Sequence, residues 1–479
     1  MLFNSFSFFV FLTIVFLFYW LLKNQLKAQN FFVLLASYFF YGWWDWRFLA
    51  LVFISSFVDF FLGIYLGKTD NRIRRKILLA TSVFVNIGIL GFFKYFNFFI
   101  ESFSILLQQF GMNPNISTLQ IILPVGISFY TFQTLSYTID IYRKEIEPAK
   151  DVVAFFAFVS FFPQLVAGPI ERARSLVPQF LKKRNFDVKS ATDGMRQILW
   201  GLFKKILIAD NCSIYVNEIF NNYQIHSGGT LLLGAVLFGF QIYGDFSGYS
   251  DIAIGTGRLF GFNLMQNFAF PYFSRDIAEF WRRWHISLST WFRDYVYVPL
   301  GGSKGSKILQ FKNVLIIFLV SGFWHGANFT FVVWGAIHAI LFIPLLLTKR
   351  NRKHTTDISN RDLIKKPITI LKIIGTFLLV NIAWVFFRSP TITDAFKYLK
   401  IIFTKLTNTP VKNFEIYSKP VFFGIIIMII FEWIHRSKKH GLQFDNWPMF
   451  IRWLVYLFIA YAIFLYGNFS QVEFIYFAF

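Results

Sequence analysis

Charged residues and cysteine are scarce in this sequence. Asp, Glu, Lys and Arg make up 15% of the 479 residues, against about a quarter in a soluble globular domain. The single cysteine, Cys212, excludes an intramolecular disulfide and a metal site with several cysteine ligands. Walker loops, zinc-protease motifs and Gly-x-Ser-x-Gly elbows are also missing. The sequence therefore gives no sign of nucleotide hydrolysis, zinc proteolysis or serine-hydrolase chemistry.

Long polar stretches are missing as well, and long apolar runs take their place. Hydrophobic residues make up 56% of the chain, and several runs reach the roughly 18 residues that indicate a transmembrane helix. The candidate spans are residues 3–22, 30–44, 46–66, 77–100, 119–141, 151–168, 194–217, 229–244, 313–347 (broken), 367–388, 419–434 and 450–467. We expect an all-α polytopic membrane protein with about 11 or 12 transmembrane helices. Because each polar interruption is shorter than about 25 residues, we expect one integral-membrane domain over residues 1–479.

Positive charge is concentrated in the loops. The formal net charge is +22, and Lys23 and Lys27 follow the first apolar run. The positive-inside rule therefore puts the N-terminus outside the cell and this first loop in the cytoplasm. Topology and attraction to anionic lipid explain most of the charge, and the remainder suits a polyanionic cytosolic ligand such as a nucleotide-bearing acyl donor. Nucleic-acid binding is not indicated, because no recognised binding module accompanies the charge.

One histidine lies within a long uncharged run. His325 belongs to Ser-Gly-Phe-Trp-His-Gly-Ala-Asn (321–328), inside residues 313–348, which contain no Asp, Glu, Lys or Arg. A titratable side chain at hydrocarbon depth is costly and indicates a functional site. Gly322, Gly326 and Asn328 predict a helix break close to His325, and non-helical backbone at this depth is tolerated only in a protein interior or at a wet cavity. We predict that His325 lies on the wall of an internal site; a packed core histidine is the alternative.

A second histidine belongs to a segment with helical periodicity, residues 279–296. As a single helix it has an apolar face with Trp281, Trp284, His285, Leu288, Trp291 and Phe292, and a charged face with Glu279, Arg282, Arg283, Arg293 and Asp294. We expect an amphipathic helix whose polar face meets water or phosphate. A helix lying flat in the membrane interface with snorkelling arginines is the alternative. Since His285 lies on the apolar face, we hypothesise that it shares a site with His325, one ring as base and the other as orienter or oxyanion donor.

Carboxylates and hydroxyls follow the predicted span 229–244. Asp245, Ser247 and Asp251 belong to Gln-Ile-Tyr-Gly-Asp-Phe-Ser-Gly-Tyr-Ser-Asp (241–251). Carboxylates this close to the membrane need partners, and we expect an arginine from residues 275–293. A structural ion pair is the favoured role, and acid–base chemistry or binding of a thioester headgroup is the alternative.

Together these motifs resemble the membrane-bound O-acyltransferases, in particular their bacterial branch of alginate O-acetyltransferases and D-alanyl transfer proteins. The similar segments are Phe-Phe-Tyr-Gly-Trp-Trp-Asp-Trp (39–46), Leu-Pro-Val-Gly-Ile-Ser-Phe-Tyr-Thr-Phe-Gln (123–133), Val-Ala-Gly-Pro-Ile-Glu-Arg (166–172), Asp-Phe-Ser-Gly-Tyr-Ser-Asp (245–251), Phe-Trp-Arg-Arg-Trp-His-Ile-Ser-Leu-Ser (280–289), Phe-Trp-His-Gly (323–326) and Phe-Ile-Tyr-Phe (474–477). Each is weak alone, but in this order they are specific and cover essentially the whole length.

The resemblance implies a ring of helices, with re-entrant or interfacial ones, around a central funnel. It implies that His325 is essential for transfer and that His285 faces the same tunnel. The implied reaction moves an acyl group, here acetyl, from a cytosolic thioester such as acetyl-CoA to hydroxyls of an exported, alginate-type cell-surface polysaccharide. We expect the bacterial inner membrane, periplasmic or membrane-anchored partner proteins, and no bound cofactor or metal. The tentative substrate- or donor-binding residues are Asp245, Ser247, Asp251, Arg282, Arg283, Trp324 and Asn328.

Three alternatives stay open. Peptidoglycan O-acetylation and teichoic-acid D-alanylation are other reactions of the same branch, and the second is disfavoured because the motifs are closer to the alginate type. A transporter or flippase with the histidines as a proton relay belongs to a different class. Many transporters carry an inverted repeat between their halves, and none is evident in this sequence.

Overall fold

All regular secondary structure is helical in the part of the chain that the computed structural model describes, residues 1–112, 118–356, 358, 367–406, 419–444, 447–470, 472 and 474–475. The α-helices are α1 (Phe6–Leu21), α2 (Leu26–Asp45), α3 (Leu49–Lys68), α4 (Arg72–Leu90), α5 (Phe96–Gln109), α6 (Ile127–Tyr142), α7 (Val152–Ser160), α8 (Phe162–Leu165), α9 (Ala173–Phe180), α10 (Val188–Leu202), α11 (Asp210–Asn221), α12 (Gly228–Leu259), α13 (Ile277–Arg283), α14 (Ile286–Phe292), α15 (Lys307–His325), α16 (Phe329–Leu347), α17 (Ile368–Arg388), α18 (Ile392–Thr404), α19 (Lys419–Ile434) and α20 (Met449–Tyr466). Three π-helical turns, Gly91–Tyr95, Phe203–Ala209 and Arg293–Tyr297, continue α4, α10 and α14. The all-α prediction is confirmed; Tyr476 and Phe477 of the last similar segment lie outside the described residues.

Seven helical segments of the described chain are long and apolar enough to cross a membrane. They are Leu26–Lys68, Arg72–Gln109, Gly228–Leu259, Lys307–His325, Phe329–Leu347, Ile368–Arg388 and Met449–Tyr466. This number is smaller than 11 or 12 because Leu26–Lys68 joins two predicted spans and because the apolar helices Phe6–Leu21 and Val152–Leu165 are shorter. The predicted spans 119–141 and 419–434 correspond to helices of 16 described residues, and the span 194–217 carries Lys204, Lys205 and Asp210. Large apolar side chains on the outer helix faces, such as Phe84 and Phe464, are more than three-quarters exposed. The chain is a multi-pass integral membrane protein.

The long helix α12 runs through the protein core. Most of its side chains are buried, and α10 crosses it so closely that a Cβ on Gly201 would lie 2.6 Å from the carbonyl oxygen of Gly248. The predicted end of this span at residue 244 is wrong, because the helix continues to Leu259. Asp245, Ser247 and Asp251 therefore lie inside the helix, where neighbouring helices rather than lipid surround them.

The prediction of one helix over residues 279–296 is also wrong. α13 ends at Arg283, and His285 has φ 43 and ψ 55 in the left-handed region. The backbone at this break is hydrogen-bonded to the segment before it, since the Ile286 N–H donates to the Asn267 carbonyl at 2.9 Å and the Ala269 N–H donates to the Arg283 carbonyl at 2.9 Å. These tertiary bonds replace the intrahelical bonds lost at the break.

Candidate active site

His325 is the last residue of α15, directly before the helix break that the sequence predicts. The break at 326–328 separates α15 from α16. His325 is buried, and its ring lies 5.1 Å from that of Trp334 and 5.4 Å from that of Phe387 between ring centroids. Both contacts are edge-on, so aromatic side chains from α16 and α17 fix the orientation of the imidazole.

The imidazole of His285 is hydrogen-bonded to the side chain of Asn267. The Nδ1 atom of His285 lies 3.0 Å from the Oδ1 atom of Asn267. The same Oδ1 accepts from the backbone N–H of Ser287 at 3.3 Å and from its hydroxyl at 2.9 Å. Because a backbone N–H can only donate, this atom of Asn267 is the acceptor, and Nδ1 of His285 therefore carries the proton.

The other nitrogen of His285 is left as a proton acceptor. Its Nε2 atom is buried and has no hydrogen-bond partner among the described residues. The ring lies outside the seven spans, and burial lowers the pKa of His285 to about 3, which keeps the imidazole neutral. Of the three roles considered for the rings, base, orienter and oxyanion donor, this tautomer of His285 excludes only the last, since Nε2 has no proton to donate.

Trp324 contacts both histidines. Its indole ring lies 6.1 Å from the ring of His285 and 4.9 Å from the ring of His325, between centroids. The edge of Phe246 closes the other side of His285 at 4.5 Å. The structure thus places the two histidines in one buried region, although they come from different helical hairpins.

Cavities reach this region from two directions. A cavity of about 40 Å³ is lined by His325, Lys94, Trp324 and residues 123–129. It shares two lining residues, Val125 and Val166, with a cavity of about 260 Å³ beside the N-terminus.

A third cavity, of about 550 Å³, is lined by positively charged side chains. Arg282, Arg293, Arg352 and Ser321 are among its lining residues. Ser321 lies one helical turn before His325 on α15, so α15 contributes to both cavities within a single turn.

The two predicted arginines have different surroundings. Arg282 lines the large cavity, and its guanidinium donates to the carbonyls of Asn351 at 2.7 Å and His354 at 2.8 Å. Arg283 is turned away and forms an ion pair with Glu279 at 2.9 Å. Of this pair, only Arg282 lies where a ligand in the cavity can meet it.

The carboxylates of α12 are paired with lysines. Lys205 lies 2.8 Å from Asp245, and Lys204 lies 2.6 Å from Asp251 and 2.8 Å from the hydroxyl of Ser247. The expectation of an arginine from residues 275–293 is wrong, because the π-helical turn Phe203–Ala209 directs its two lysines onto α12. None of the three residues lines the cavities described above, an arrangement that fits the structural ion pair.

Asn328 caps a helix. Its side-chain oxygen accepts from the N–H of Thr330 at 2.9 Å, and its amide donates to the carbonyl of Pro390 at 3.0 Å. The side chain therefore fixes the start of α16 and ties it to the turn after α17. It does not line the cavity that contains His325.

Sequence reasoning did not single out Asn267 or Lys94. Asn267 lies in an irregular segment, and its bond to His285 is tertiary, so no local pattern predicts it. The sequence does contain an indication for Lys94, because it is an isolated cation within the apolar segment Arg72–Gln109. An ionisable side chain in a membrane span indicates a functional site. No group of three or more His, Cys, Asp or Glu side chains in the described ranges is placed to hold a metal ion.

The fold and the site define a multi-pass membrane protein whose buried interior contains His285 and His325. The model of the membrane-bound O-acyltransferase family matches residues 144–387, and the chain belongs to this family of acyltransferases.

Curated relatives support this assignment over most of the chain. The protein is 40% identical to the probable alginate O-acetylase AlgI of Pseudomonas aeruginosa over 79% of this chain and 70% of the relative. It is 32% identical to the peptidoglycan O-acetyltransferase of Helicobacter pylori over 100% of this chain and 98% of the relative. Similarity to the teichoic acid D-alanyltransferase of Bacillus subtilis is lower, at 29% over 53% of this chain and 65% of the relative.

Proposed function

We propose that the protein transfers an acetyl group from a cytosolic thioester, such as acetyl-CoA, across the membrane to hydroxyls of an exported, alginate-type cell-surface polysaccharide. The observation that carries the proposal is the burial of His285 and His325 against the same indole. His325 lines the small cavity, and Ile286 and Ser321, which are close to the two histidines in the chain, line the cationic one. Relatives named as probable alginate O-acetylases, at 39–40% identity, support the acetyl group and the polymer.

In this proposal His325 acts as general base. Its imidazole removes the proton of the acceptor hydroxyl while the hydroxyl oxygen bonds to the acyl carbonyl carbon. The tetrahedral intermediate then expels the thiolate as the carbon–sulfur bond breaks, and the imidazolium returns the proton to sulfur. A thioester is already activated, so one base and an enclosed, oriented site are sufficient, and the base contributes about 10²–10⁴ in rate.

His285 orients the acceptor in the same step. Its Nε2 atom carries a lone pair and has no partner in the described structure, so it accepts a hydrogen bond from a hydroxyl. That hydroxyl is a neighbour of the reacting one on the acceptor, so the bond places the reacting hydroxyl beside the acyl carbon with its own single proton toward His325.

The donor approaches through the cationic cavity of about 550 Å³. Arg282, Arg293 and Arg352 suit the phosphates of a nucleotide-bearing thioester, since guanidinium groups bind phosphate oxygens in pairs. The loops beside this cavity carry Lys304 and Lys353, and positive loops face the cytoplasm. We place the protein in the bacterial inner membrane with its N-terminus outside, where periplasmic or membrane-anchored partner proteins pass the acetyl group on.

Replacing His325 by Ala in cells separates this function from transport. We expect loss of alkali-labile acetate from the cell surface with normal export of the polymer, measured as released acetate per mass of polymer. Loss of polymer export in the same variant would instead support a transporter or flippase.

Peptidoglycan is the second candidate acceptor. The Helicobacter pylori relative matches this chain along essentially its whole length, whereas the alginate relatives extend beyond the match. The same His325→Ala strain decides between the polymers, since acetate is lost from glycan strands in one case and from the secreted polysaccharide in the other.

A further inference from the structure

A lysine inside the membrane contacts the backbone at the proposed base. Lys94 belongs to the π-helical turn Gly91–Tyr95 within the apolar segment Arg72–Gln109. Its ammonium donates to the carbonyl of Trp324 at 2.8 Å and to that of His325 at 3.0 Å. The neighbouring Tyr95 hydroxyl donates to the carbonyl of Phe323 at 2.9 Å. One turn of one helix therefore satisfies three consecutive carbonyls at the C-terminal end of α15.

Capping alone does not explain a cation at this position. Tyr95 shows that a neutral hydroxyl satisfies a carbonyl of the same helix end, and a charged group at membrane depth costs more than a neutral donor. No carboxylate in the described part of the chain forms an ion pair with Lys94; the cation–π contact with Trp324, at 5.8 Å, is the other interaction of its ammonium. The positive charge is thus not neutralised within the described protein.

The charge borders the reaction site. Lys94 and His325 line the same cavity of about 40 Å³. A cavity of this volume has room for a group of a few atoms but not for a sugar ring. The first residues of α6, Ile127 and Ser128, line the same cavity, and the N-terminus of a helix carries partial positive charge. His285 cannot supply this charge, because its free nitrogen is an acceptor.

We propose that Lys94 is a catalytic residue that stabilises the negative charge on the acyl carbonyl oxygen in the tetrahedral intermediate. The inference rests on the proposed acyl transfer. While the acceptor oxygen bonds to the acyl carbon, the carbonyl π electrons move to oxygen, and this oxyanion lies against the ammonium of Lys94. When the carbon–sulfur bond breaks, the carbonyl re-forms, and the lysine neither gains nor loses a proton.

The test compares variants at two adjacent positions in sealed membrane vesicles that contain the native partners and acceptor. Lys94→Gln keeps a hydrogen-bond donor but removes the charge, Lys94→Arg keeps both, and Tyr95→Phe removes one cap bond without changing the charge. Ester formation is followed with radiolabelled acetyl thioester, and the melting temperature of each purified variant is recorded. We expect Lys94→Gln to lower kcat by about 10²–10³-fold with little change in KM or Tm. Lys94→Arg restores most of the rate, and Tyr95→Phe keeps it.

The outcomes separate the inference from the function on which it rests. Ester formation that depends on His325 but is unchanged by Lys94→Gln overturns the role of Lys94 alone. Equal losses of rate and Tm in Lys94→Gln and Tyr95→Phe would show that Lys94 only caps the end of α15, which also overturns its catalytic role. If the wild-type protein forms no His325-dependent ester, the proposed function itself fails.

Discussion

Among individual residues, Asn267 has the largest influence on the chemistry open to His285. Its Oδ1 atom fixes the proton on Nδ1 of the imidazole and leaves Nε2 as an acceptor. Asn267 also donates to the hydroxyl of Ser250 on α12 at 3.1 Å, so the orientation of His285 is tied to the core helix. A neutral ring with a defined tautomer is what the orienting role requires.

Replacing Asn267 by Leu removes this acceptor at similar volume. We predict about a 10–100-fold loss of kcat, by analogy with the loss when the hydrogen-bond partner of a metal-bound histidine is removed, because His285 then populates both tautomers and rotates. Ser287→Ala, which loses one bond to Asn267 but leaves the imidazole bond, is the matched control and keeps most of the rate. Equal rates for the wild type and Asn267→Leu would contradict the assigned tautomer.

The sequence predicts the two histidines but not what surrounds them. His325 stands out because its run contains no Asp, Glu, Lys or Arg and a helix break directly follows it, and His285 because it lies on the apolar side of a charged segment. For Asp245 and Asp251 the sequence indicates an ion pair but not the partner, since Lys204 and Lys205 come from a π-helical turn. Such pairings arise from tertiary packing and leave no periodic signal.

At the scale of elements, the closely packed pair α15–α16 positions His325. A Cβ on Gly322 would lie 2.2 Å from the carbonyl oxygen of Phe331, and one on Gly335 would lie 2.3 Å from that of Phe318. The two helices thus meet backbone to backbone just before the histidine, as small residues permit in membrane proteins.

Gly322→Ala is predicted to separate these helices. The added methyl group meets backbone that cannot rotate away, so we expect about 1–3 kcal/mol of destabilisation and reduced ester formation, because His325 lies less than one turn beyond. Gly375→Ala in α17 is the control, since nothing lies within 4 Å of its Cβ position. Thermal unfolding in detergent measures the stability of both variants. An unchanged Tm for Gly322→Ala would contradict the close packing of α15 against α16.

Element boundaries show where periodicity is a sufficient guide. The break between α15 and α16 follows from Gly326 and Asn328, which end and begin helices for local reasons. The prediction that Gly322 also marks the break is wrong, because Gly322 lies inside α15, where its missing side chain lets α16 approach. The break at His285 has no such local signal, because the hydrogen bonds that stabilise it come from residues 267–269. The helical periodicity of residues 279–296 therefore predicts one helix, whereas the tertiary hydrogen bonds divide this segment into α13 and α14.

At the scale of the whole molecule, the charged loops and the cavities predict the orientation of the protein in the membrane and the direction of acyl transfer. The cationic cavity is predicted on the cytoplasmic side and the N-terminus on the outer side, beside the cavity of about 260 Å³. In the proposed transfer the acyl group moves from the cationic cavity to the small cavity lined by Trp324 and His325, which shares Val125 and Val166 with the cavity beside the N-terminus.

The native cysteine makes this orientation directly measurable. Cys212 is fully buried, so added cysteines dominate labelling by a membrane-impermeant maleimide. We predict that Gln108→Cys is labelled on intact spheroplasts and that Lys304→Cys is labelled only after permeabilisation. The reverse pattern would invert the protein and place the cationic cavity outside the cell.

The most direct measurement of the central claim, that the two histidines act together in one enclosed site, is a double-mutant cycle. The rate of ester formation is measured in sealed vesicles for His285→Ala, His325→Ala and the double variant. Residues that act as a unit are non-additive, so each single variant is predicted to lose about 10²–10⁴ in rate and the double variant no more than the worse single one. Losses that multiply, or a wild-type rate in His325→Ala, would contradict the account.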